Sequence, residues 1–286
     1  MVRRAFAGET KLPRGSVLVV AVSGGPDSMA LFDVAQRIAP GFDIHLHAHG
    51  VDHGLREGAS AELDLAAAFA ESVRVPFGRT CVHVGSGSNL QARARQARYA
   101  ALAAVARQLG AQAIATAHHA DDRAETVLMR LLRGAGPRGL AVLPPRAPLA
   151  TLATTEGLDT IELVRPMLRA RRSDVLAHLT RRRIQFASDP SNHDPRYLRA
   201  RVRRELLPLL EALGPGIVRH LEALADELSV DRGAAIASNF PLPRTTEQKL
   251  RDLARSRSKT ARVWLPGGLV AAVADNAAKP RASSRA

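Results

Sequence analysis

A short segment near the start of the chain combines hydroxyl groups, glycines and one carboxylate: Ser23-Gly24-Gly25-Pro26-Asp27-Ser28. Two adjacent glycines allow a sharp turn and a close approach of the backbone, so that main-chain N–H groups can surround an anion. The hydroxyl groups of Ser23 and Ser28 can form further hydrogen bonds, and the Asp27 carboxylate could hold a magnesium ion or orient a nucleophile. A Walker A loop would require a lysine, which this segment lacks. The pattern therefore favours phosphate binding over an ordinary turn.

Two histidines and three acidic residues lie together further along, in the run His118-His119-Ala120-Asp121-Asp122-Arg123-Ala124-Glu125-Thr126. Asp122 and Glu125 are three residues apart, which places both on one face of a helix. Capping of that helix explains one acidic residue, and Asp121 alone could provide the cap. The other carboxylates could bind an ammonium group, a metal ion or both. Metal ligation by the histidine pair is the less favoured interpretation, because such pairs are usually structural.

Arginines dominate residues 165–210, which contain twelve arginines and four acidic residues, or +8 of the chain's net charge of +14. Within this region Arg196, Arg199 and Arg203 recur at helical spacing, and Arg201 lies between them. The basic face of a solvated helix usually mixes both signs of charge, and this one does not. We therefore expect these arginines to contact the phosphates of a nucleic acid.

The elements that must position these groups alternate between strand and helix. The apolar run Val17–Val22 predicts a buried strand, and a helical pattern follows it and ends before Pro40. Further strands are predicted at 44–51, 75–84, 113–117 and 161–164, with helices at 60–71, 89–109 (capped by Asn89 and ended by Gly110) and 121–133. This order indicates an α/β fold with a Rossmann-like parallel sheet, helices on both faces, and ligands bound at the carboxyl ends of the strands.

The second half of the chain is less regular. Residues 134–157 are rich in glycine and proline and predict a long loop, after which a helix capped by Ser173 is expected. Another helix is predicted to start at Asp194-Pro195, with Pro208 disturbing it. We expect a catalytic domain at residues 1–214, including a basic helical extension from about residue 165, and a short C-terminal region at 215–286, partly helical with a disordered tail.

Composition narrows the class of protein. The chain has 286 residues and one cysteine, Cys81, which excludes an internal disulfide framework and a zinc site with two or more cysteines. No apolar run approaches the roughly 20 residues needed to span a bilayer, and no secretory signal is recognised. A cytoplasmic protein without a membrane partner is therefore expected, and its strong positive charge favours a polyanionic partner.

The chain resembles a known family at these motifs. The first segment is similar to the signature Ser-Gly-Gly-x-Asp-Ser of the PP-loop ATP pyrophosphatases. Together with Val51-Asp52-His53-Gly54-Leu55-Arg56, the block at 118–134 and the segment at 189–210 (which begins Asp189-Pro190-Ser191-Asn192), it resembles the tRNA(Ile)-lysidine synthase family over residues 17–213. That resemblance implies a ligase that adenylates the carbonyl oxygen at carbon 2 of the wobble cytidine in the CAU anticodon of tRNA(Ile), after which the side-chain amine of L-lysine displaces AMP to give lysidine.

The resemblance also implies roles for residues. Asp122 and Glu125 would bind the lysine, Asp27 would lie at the reacting centre with a possible Mg²⁺, and Arg98 and His118 would contact the nucleotide or substrate. Two larger sets follow. The ATP-binding set would be Ser23, Gly24, Gly25, Pro26, Asp27, Ser28 and His53. The tRNA-binding set would be Arg196, Arg199, Arg201 and Arg203.

Three positions depart from the family pattern: Arg123, which could perturb the charge balance of the acidic residues, Phe186 and Ala200. Two alternatives therefore stay open beside the ligase. One is a PP-loop tRNA thiolase, which the single cysteine disfavours. The other is a tRNA-binding protein with reduced catalysis. The oligomeric state is left open, a homodimer included.

Overall fold

A six-stranded β-sheet with helices on both faces forms the centre of the computed structural model, which describes residues 1–54, 58–85, 87, 89–149, 161–187, 196–234, 262–264 and 270–272. The strands of this sheet are β1 (Ser16–Ala21), β2 (Ile44–Asp52), β3 (Phe77–Cys81), β4 (Ala113–Ala115), β5 (Arg146–Pro148) and β6 (Glu162–Val164). A separate antiparallel pair consists of β7 (Arg262–Trp264) and β8 (Val270–Ala272).

Ten α-helices lie in the described residues. They are α1 (Val2–Ala7), α2 (Pro26–Phe42), α3 (Ala59–Ser72), α4 (Leu90–Gln108), α5 (Ala120–Leu131), α6 (Pro137–Leu140), α7 (Arg172–Arg182), α8 (Leu198–Arg201), α9 (Leu207–Leu213) and α10 (Ile217–Ala234). A π-helical turn, Val202–Leu206, joins α8 to α9. None of the helices in the described ranges is long and apolar enough to cross a membrane.

The order of the strands determines where a ligand can bind. The sheet runs β3-β2-β1-β4-β6-β5, and all neighbouring pairs are parallel except β5 with β6. The chain therefore leaves β1 in one direction, through β2 and β3, and returns to the other side of β1 with β4. This reversal opens a crevice at the carboxyl ends of β1 and β4, which is the usual ligand site of open α/β sheets. The predicted parallel α/β sheet is confirmed.

Helices cover both faces of the central strand. Leu18 and Val20 of β1 pack into a cluster with α1, α2, α3 and α7, whereas Val19, between them, packs with α4 on the opposite face. All three side chains are fully buried. The continuous apolar run therefore reflects a strand that is covered on both sides, as expected for the centre of a parallel sheet.

A third apolar cluster contains no strand residue. It joins α5, α6, the helical run 198–213 and α10, with Ala124, Leu140, Val202 and Leu221 among its buried members. The division predicted at residue 214 stays a prediction, but α10, which follows that position, packs directly on α5 and α6. The C-terminal helix thus contacts the helix that carries the acidic residues.

Several predicted boundaries were wrong. Helix α2 continues through Pro40 to Phe42, because a proline in the last turn removes only one hydrogen bond. Helix α7 has Arg171 at the N-cap, not Ser173, and Asn89 occupies the N-cap of α4 without a capping hydrogen bond from its side chain. The predicted loop at 134–157 contains α6 and the antiparallel β5, and its residues 150–157 lie outside the described part of the chain.

The basic helical run has an irregularity just before Pro208. Leu207 donates its N–H to the carbonyl of Val202, five residues back, which is the pattern of a π turn. Pro208 has no N–H to donate to residue 204, so the π turn lies where the regular ladder is interrupted. The predicted start of this helix at Asp194-Pro195 and the motif at 189–192 lie outside the described residues.

Candidate active site

The predicted phosphate-binding loop, which begins at Ser23, connects the carboxyl end of β1 to α2. Pro26 occupies the first position of α2, where its missing N–H costs nothing, and Gly25 is the N-cap. The loop is braced internally, because the Ser23 N–H donates to Ser28 Oγ at 3.1 Å and Ser28 Oγ donates to the Gly25 carbonyl at 2.9 Å. The positive end of the α2 dipole therefore faces the crevice through a preorganised loop, an arrangement suited to an anion.

Gly24 is required by both its backbone conformation and its surroundings. Its φ of +78° lies in the left-handed region, and a Cβ added there would lie 2.1 Å from the carbonyl oxygen of Glu62 in α3. Its own carbonyl accepts the N–H of Ala187 at 2.9 Å. The loop is thus packed against α3 on one side and tied to the segment after α7 on the other.

The crevice is a cavity of about 660 Å³ that contains most of the predicted site residues. Strands β1 and β4 bring the two motifs together, since Val20 of β1 pairs in register with Ala115 of β4. Eleven predicted residues line the cavity: Ser23, Gly25, Pro26, Asp27, Ser28, His53, Arg98, His118, Asp122, Arg199 and Arg203. The cavity thus joins groups that are up to 180 positions apart along the chain.

Asp122 and Glu125 form a compact charge cluster with two arginines. Arg199 donates through Nη2 to Asp122 Oδ1 and through Nε to Glu125 Oε2, both at 2.8 Å. Arg203 donates through Nε to Glu125 Oε1 at 2.5 Å and through Nη2 to Glu125 Oε2 at 3.0 Å. Glu125 is fully buried, whereas the Arg199 side chain is 44% exposed. The cluster holds two negative and two positive charges, and of its members Asp122, Arg199 and Arg203 line the cavity, whereas Glu125 does not.

This pairing changes the interpretation of the basic helix. Arg199 and Arg203 turn inward onto Asp122 and Glu125, and Arg201 pairs with Glu205 at 3.1 Å, so these arginines have acidic partners that the sequence of their own helix did not indicate. Arg201 and Glu205 are both more than half exposed. Contact of tRNA with these arginines and with Arg196 stays a prediction. Arg201 differs from Arg199 and Arg203 in that its partner, Glu205, lies at the surface.

His119 lies between the two motifs. It is fully buried and caps α5, because its Nδ1 accepts the N–H of Asp122 while the Asp122 carboxylate accepts the N–H of His119. Asp121, which could have provided the cap, instead accepts hydrogen bonds from the Arg171 side chain and from the Arg172 N–H. Burial lowers the pKa of His119, but the facing carboxylates of Asp27, Asp122 and Asp121 outweigh it and raise that pKa.

The surroundings favour the ionised form of Asp122 and the neutral form of His118. Burial favours the neutral form of Asp122, yet the charges of His119 and Arg199 and the His119 N–H lower its pKa. His118 responds in the opposite way, since burial lowers its pKa to about 3 despite the nearby Asp122. The Nδ1 of His118 lies 3.0 Å from Thr116 Oγ1. A neutral imidazole beside an ionised carboxylate can donate or accept one hydrogen bond to a substrate.

Several residues that line the cavity were not predicted. Arg172 pairs with Asp27 at 3.5 Å, and Arg95, Glu62 and Thr116 also face the space. Thr116 could have been found, because it follows β4 directly and therefore lies at the carboxyl end of a central strand. No local pattern distinguishes Arg172 from the other arginines of its region.

The three departures from the family pattern have different surroundings. Arg123 is fully buried and points away from the acidic pair, donating to Asp226 of α10 at 2.6 Å and to the Val142 carbonyl at 3.1 Å. Ala200 is buried at the cavity wall, and Phe186 is 39% exposed. Arg123 therefore connects α5 to α10 and does not lie among the carboxylates.

Metal ligation by the histidine pair finds no support. Within the ranges that the structure describes, no three His, Cys, Asp or Glu side chains are grouped so that they could hold a metal ion. Asp27 has one oxygen paired with Arg172 and one buried oxygen without a hydrogen-bond partner among those residues. A single carboxylate of this kind can hold Mg²⁺ only with additional oxygens from a bound phosphate.

Comparison with known proteins agrees with this geometry. Residues 3–210 match the model of the PP-loop domain family. A tRNA(Ile)-lysidine synthase of Novosphingobium aromaticivorans is 41% identical over 75% of this chain and 63% of its own length. Another, from Thermobifida fusca, is 41% identical over 82% of this chain and 68% of its own length.

Two further comparisons describe length and fold. The chain spans 46% of a relative with the same name from Symbiobacterium thermophilum, at 39% identity over 79% of this chain. Among solved structures, the U34-tRNA thiolase NcsA from Methanococcus maripaludis superimposes with a TM-score of 0.61 over 79% of this chain and 77% of its own. At 21% sequence identity, this superposition shows a shared fold and nothing more.

Proposed function

The chain belongs to the tRNA(Ile)-lysidine synthase family of PP-loop proteins, and on this premise we propose that it ligates L-lysine to the wobble cytidine of tRNA(Ile) with a CAU anticodon. The observation that carries the proposal is a cavity lined by both the glycine loop and Asp122, whose carboxylate is joined through Arg199 to the buried carboxylate of Glu125. Phosphate-binding and ammonium-binding groups thereby meet at one place, as a ligase that uses ATP and lysine requires.

The reaction consists of two displacements. The carbonyl oxygen at carbon 2 of the cytidine attacks the α-phosphorus of ATP, and pyrophosphate leaves. The side-chain amine of lysine then attacks carbon 2, and AMP leaves with that oxygen, giving lysidine. Cytosine O2 is a poor leaving group until it is adenylated, which explains the need for ATP. The ammonium must lose a proton to attack, and the carboxylates of Asp27 and Asp122, which both line the cavity, can receive it.

ATP is assigned to the loop between β1 and α2. The braced loop and the α2 N-terminus suit the phosphates, and His53 lines the same cavity. Mg²⁺ would be held by Asp27 together with oxygens of the ATP phosphates, and would neutralise charge on the leaving pyrophosphate. Arg98 and His118 lie in this cavity beside the space left for the nucleotide and the base.

Lysine is assigned to Asp122 and Glu125, where it must compete with arginines. Glu125 is fully buried and cannot leave easily, whereas Arg199, at 44% exposed, can turn toward solvent. We propose that the lysine ammonium takes the position of the Arg199 guanidinium on the carboxylates. The released cation would then be free to meet a phosphate of the incoming tRNA.

The proposed reaction has a direct assay. Purified protein incubated with ATP, Mg²⁺, labelled L-lysine and tRNA(Ile) bearing CAU should transfer label to the tRNA. Asp122→Asn should lower this transfer at least 100-fold, because it removes one of the two charges assigned to the lysine, while binding of ATP is retained.

The outcome also separates the alternatives. A tRNA-binding protein without catalysis would bind the tRNA and transfer no lysine. A thiolase would incorporate sulfur from a donor in place of lysine, although the chain offers only Cys81, at the end of β3. No lysine transfer by the unaltered protein contradicts the proposed function.

Binding of tRNA should depend on Arg201. Its side chain is 59% exposed and, within the part of the chain that the structure describes, pairs with Glu205 at the surface. A phosphate can therefore compete with Glu205 for it. Arg201→Ala is expected to weaken tRNA binding and to reduce the slope of log affinity against log salt by about one. Filter binding at several salt concentrations measures this slope.

A matched control removes the same charge elsewhere. Arg14 is 83% exposed and precedes β1, so it lies at the amino ends of the strands, away from the cavity. Arg14→Ala should leave the slope unchanged. Equal slopes for Arg201→Ala and the unaltered protein would remove Arg201 from the RNA-binding surface.

A further inference from the structure

His119 is fixed in position by two backbone contacts. Its Nδ1 accepts the N–H of Asp122 at 3.3 Å, and its own N–H donates to Asp122 Oδ2 at 3.2 Å. An imidazole whose Nδ1 accepts a hydrogen bond carries its proton on Nε2 when neutral. The capping contact therefore determines the tautomer and makes Nε2–H a donor.

That donor faces the carboxylates of both motifs. Nε2 lies 3.6 Å from Asp27 Oδ1 of the phosphate loop and 3.4 Å from Asp122 Oδ2 of α5. Neither Nε2 nor Asp27 Oδ1 has a hydrogen-bond partner in the described part of the chain, although both atoms are buried. A buried donor and a buried acceptor thus lie opposite one another, slightly beyond hydrogen-bond distance.

The other charged groups near His119 and Asp27 do not lie between Nε2 and Oδ1. Arg172 approaches the second oxygen of Asp27 at 3.5 Å, and Asp121 approaches Nδ1, the side of the ring turned away from Asp27, at 3.7 Å. Movement of the loop toward the ring by about 0.5 Å would close the hydrogen bond between Nε2 and Oδ1. Occupation of the loop by phosphates is the event that can cause such a movement.

We propose that His119 is a positioning residue of the ligation, whose Nε2–H connects Asp27 at the ATP loop to Asp122 at the lysine site. This inference rests on the proposed function. Through His119, a loop loaded with ATP and the carboxylate that holds the lysine become parts of one hydrogen-bonded unit. The attacking nitrogen and the activated carbon are then held in register, and small misalignments of reacting atoms lower rates strongly.

Two substitutions separate bridging from capping. Asparagine is among the best N-cap residues, so His119→Asn keeps an acceptor for the Asp122 N–H but has no group at the Nε2 position. Glutamine caps poorly, but its longer side chain can bring an amide N–H toward that position. A bridging role predicts that His119→Asn is the more stable variant and His119→Gln the more active one. A capping role alone predicts that activity follows stability.

The experiment measures melting temperature, ATP affinity and the steady-state kinetics of lysine transfer for both variants. We expect His119→Asn to bind ATP like the unaltered protein and to show a kcat lowered 10- to 100-fold with little change in KM for ATP. His119→Gln should recover part of kcat at a lower melting temperature. His178→Asn is the control, because His178 binds the buried Asp33 at 2.8 Å outside the cavity; it should lower stability without lowering kcat.

Each outcome has a distinct meaning. Full activity of His119→Asn, or activity that follows melting temperature in both variants, overturns the positioning role while the proposed function stands. Absence of lysine transfer in the unaltered protein, measured in parallel, refutes the proposed function and this inference with it. A more stable His119→Asn together with a more active His119→Gln supports both the proposed function and the positioning role.

Discussion

Replacement of Glu125 by glutamine is expected to abolish lysine transfer and to lower the stability of the protein. The side chain is fully buried and accepts three hydrogen bonds from Arg199 and Arg203. Glutamine preserves the shape but offers one acceptor oxygen and an NH₂ group that faces guanidinium donors. The two arginines keep their charges and lose the counterion that lies between them.

The expected size follows from that loss. Removing one partner of a buried ion pair costs about 3–5 kcal/mol, and the lower value applies here because Arg199 is partly solvated. A cost of about 3 kcal/mol corresponds to a melting temperature lower by roughly 6–12 °C for a chain of this size. Lysine transfer should fall at least 100-fold, because one of the two charges assigned to the lysine is gone, whereas ATP should still bind.

Glu205→Gln is the matched control for this substitution. Glu205 lies on the same basic helical run and also pairs with an arginine, Arg201, but its side chain is 57% exposed. Such surface pairs contribute about 0–1 kcal/mol, so stability and transfer should both stay close to their original values. If Glu125→Gln transferred lysine at the normal rate and KM, the lysine site would have to be placed elsewhere.

Replacement of Gly24 by alanine should abolish ATP binding. Its φ of +78° costs an alanine roughly 1 kcal/mol, and the new Cβ would lie 2.1 Å from a backbone oxygen, that of Glu62. A backbone atom cannot swing aside like the end of a side chain, so the loop must shift relative to α3. Since the loop is the proposed phosphate site, ATP affinity should fall at least 100-fold in a titration.

Gly15 provides a control with the same backbone conformation. Its φ is +75°, and a Cβ added there would meet nothing within 4 Å. Gly15→Ala should therefore lose the same roughly 1 kcal/mol without a clash, and bind ATP normally. Equal ATP affinities for the two alanine variants would show that the close approach of Gly24 to Glu62 has no part in nucleotide binding.

The parts of this fold that sequence predicts are those governed by local physics. A few neighbouring positions are enough to interpret three features: the apolar run Val17–Val22, the two glycines after it, and the three-residue spacing of Asp122 and Glu125. Because parallel strands end at one edge of a sheet, the alternation of strands and helices was enough to bring those motifs together.

The contacts between distant charges could not be predicted in the same way. Arg199 and Arg203 meet Asp122 and Glu125 across 74 to 81 positions, and nothing in a run of arginines shows which of them turns inward. Asp121 was a possible cap of α5, because acidic residues often occupy that position, whereas the buried imidazole of His119 fills it. Such choices depend on packing that forms only in the folded chain.

The bond between Arg123 and Asp226 sets a lower limit on the length of a working fragment. Arg123 is buried in the helix that bears the acidic pair, yet its counterion comes from α10, beyond the end of the region shared with the PP-loop domain model at residue 210. A fragment cut at that shared boundary would lose both this counterion and the α10 side chains that pack on α5. The autonomous unit for expression, crystallisation or domain exchange therefore extends at least through Asp226.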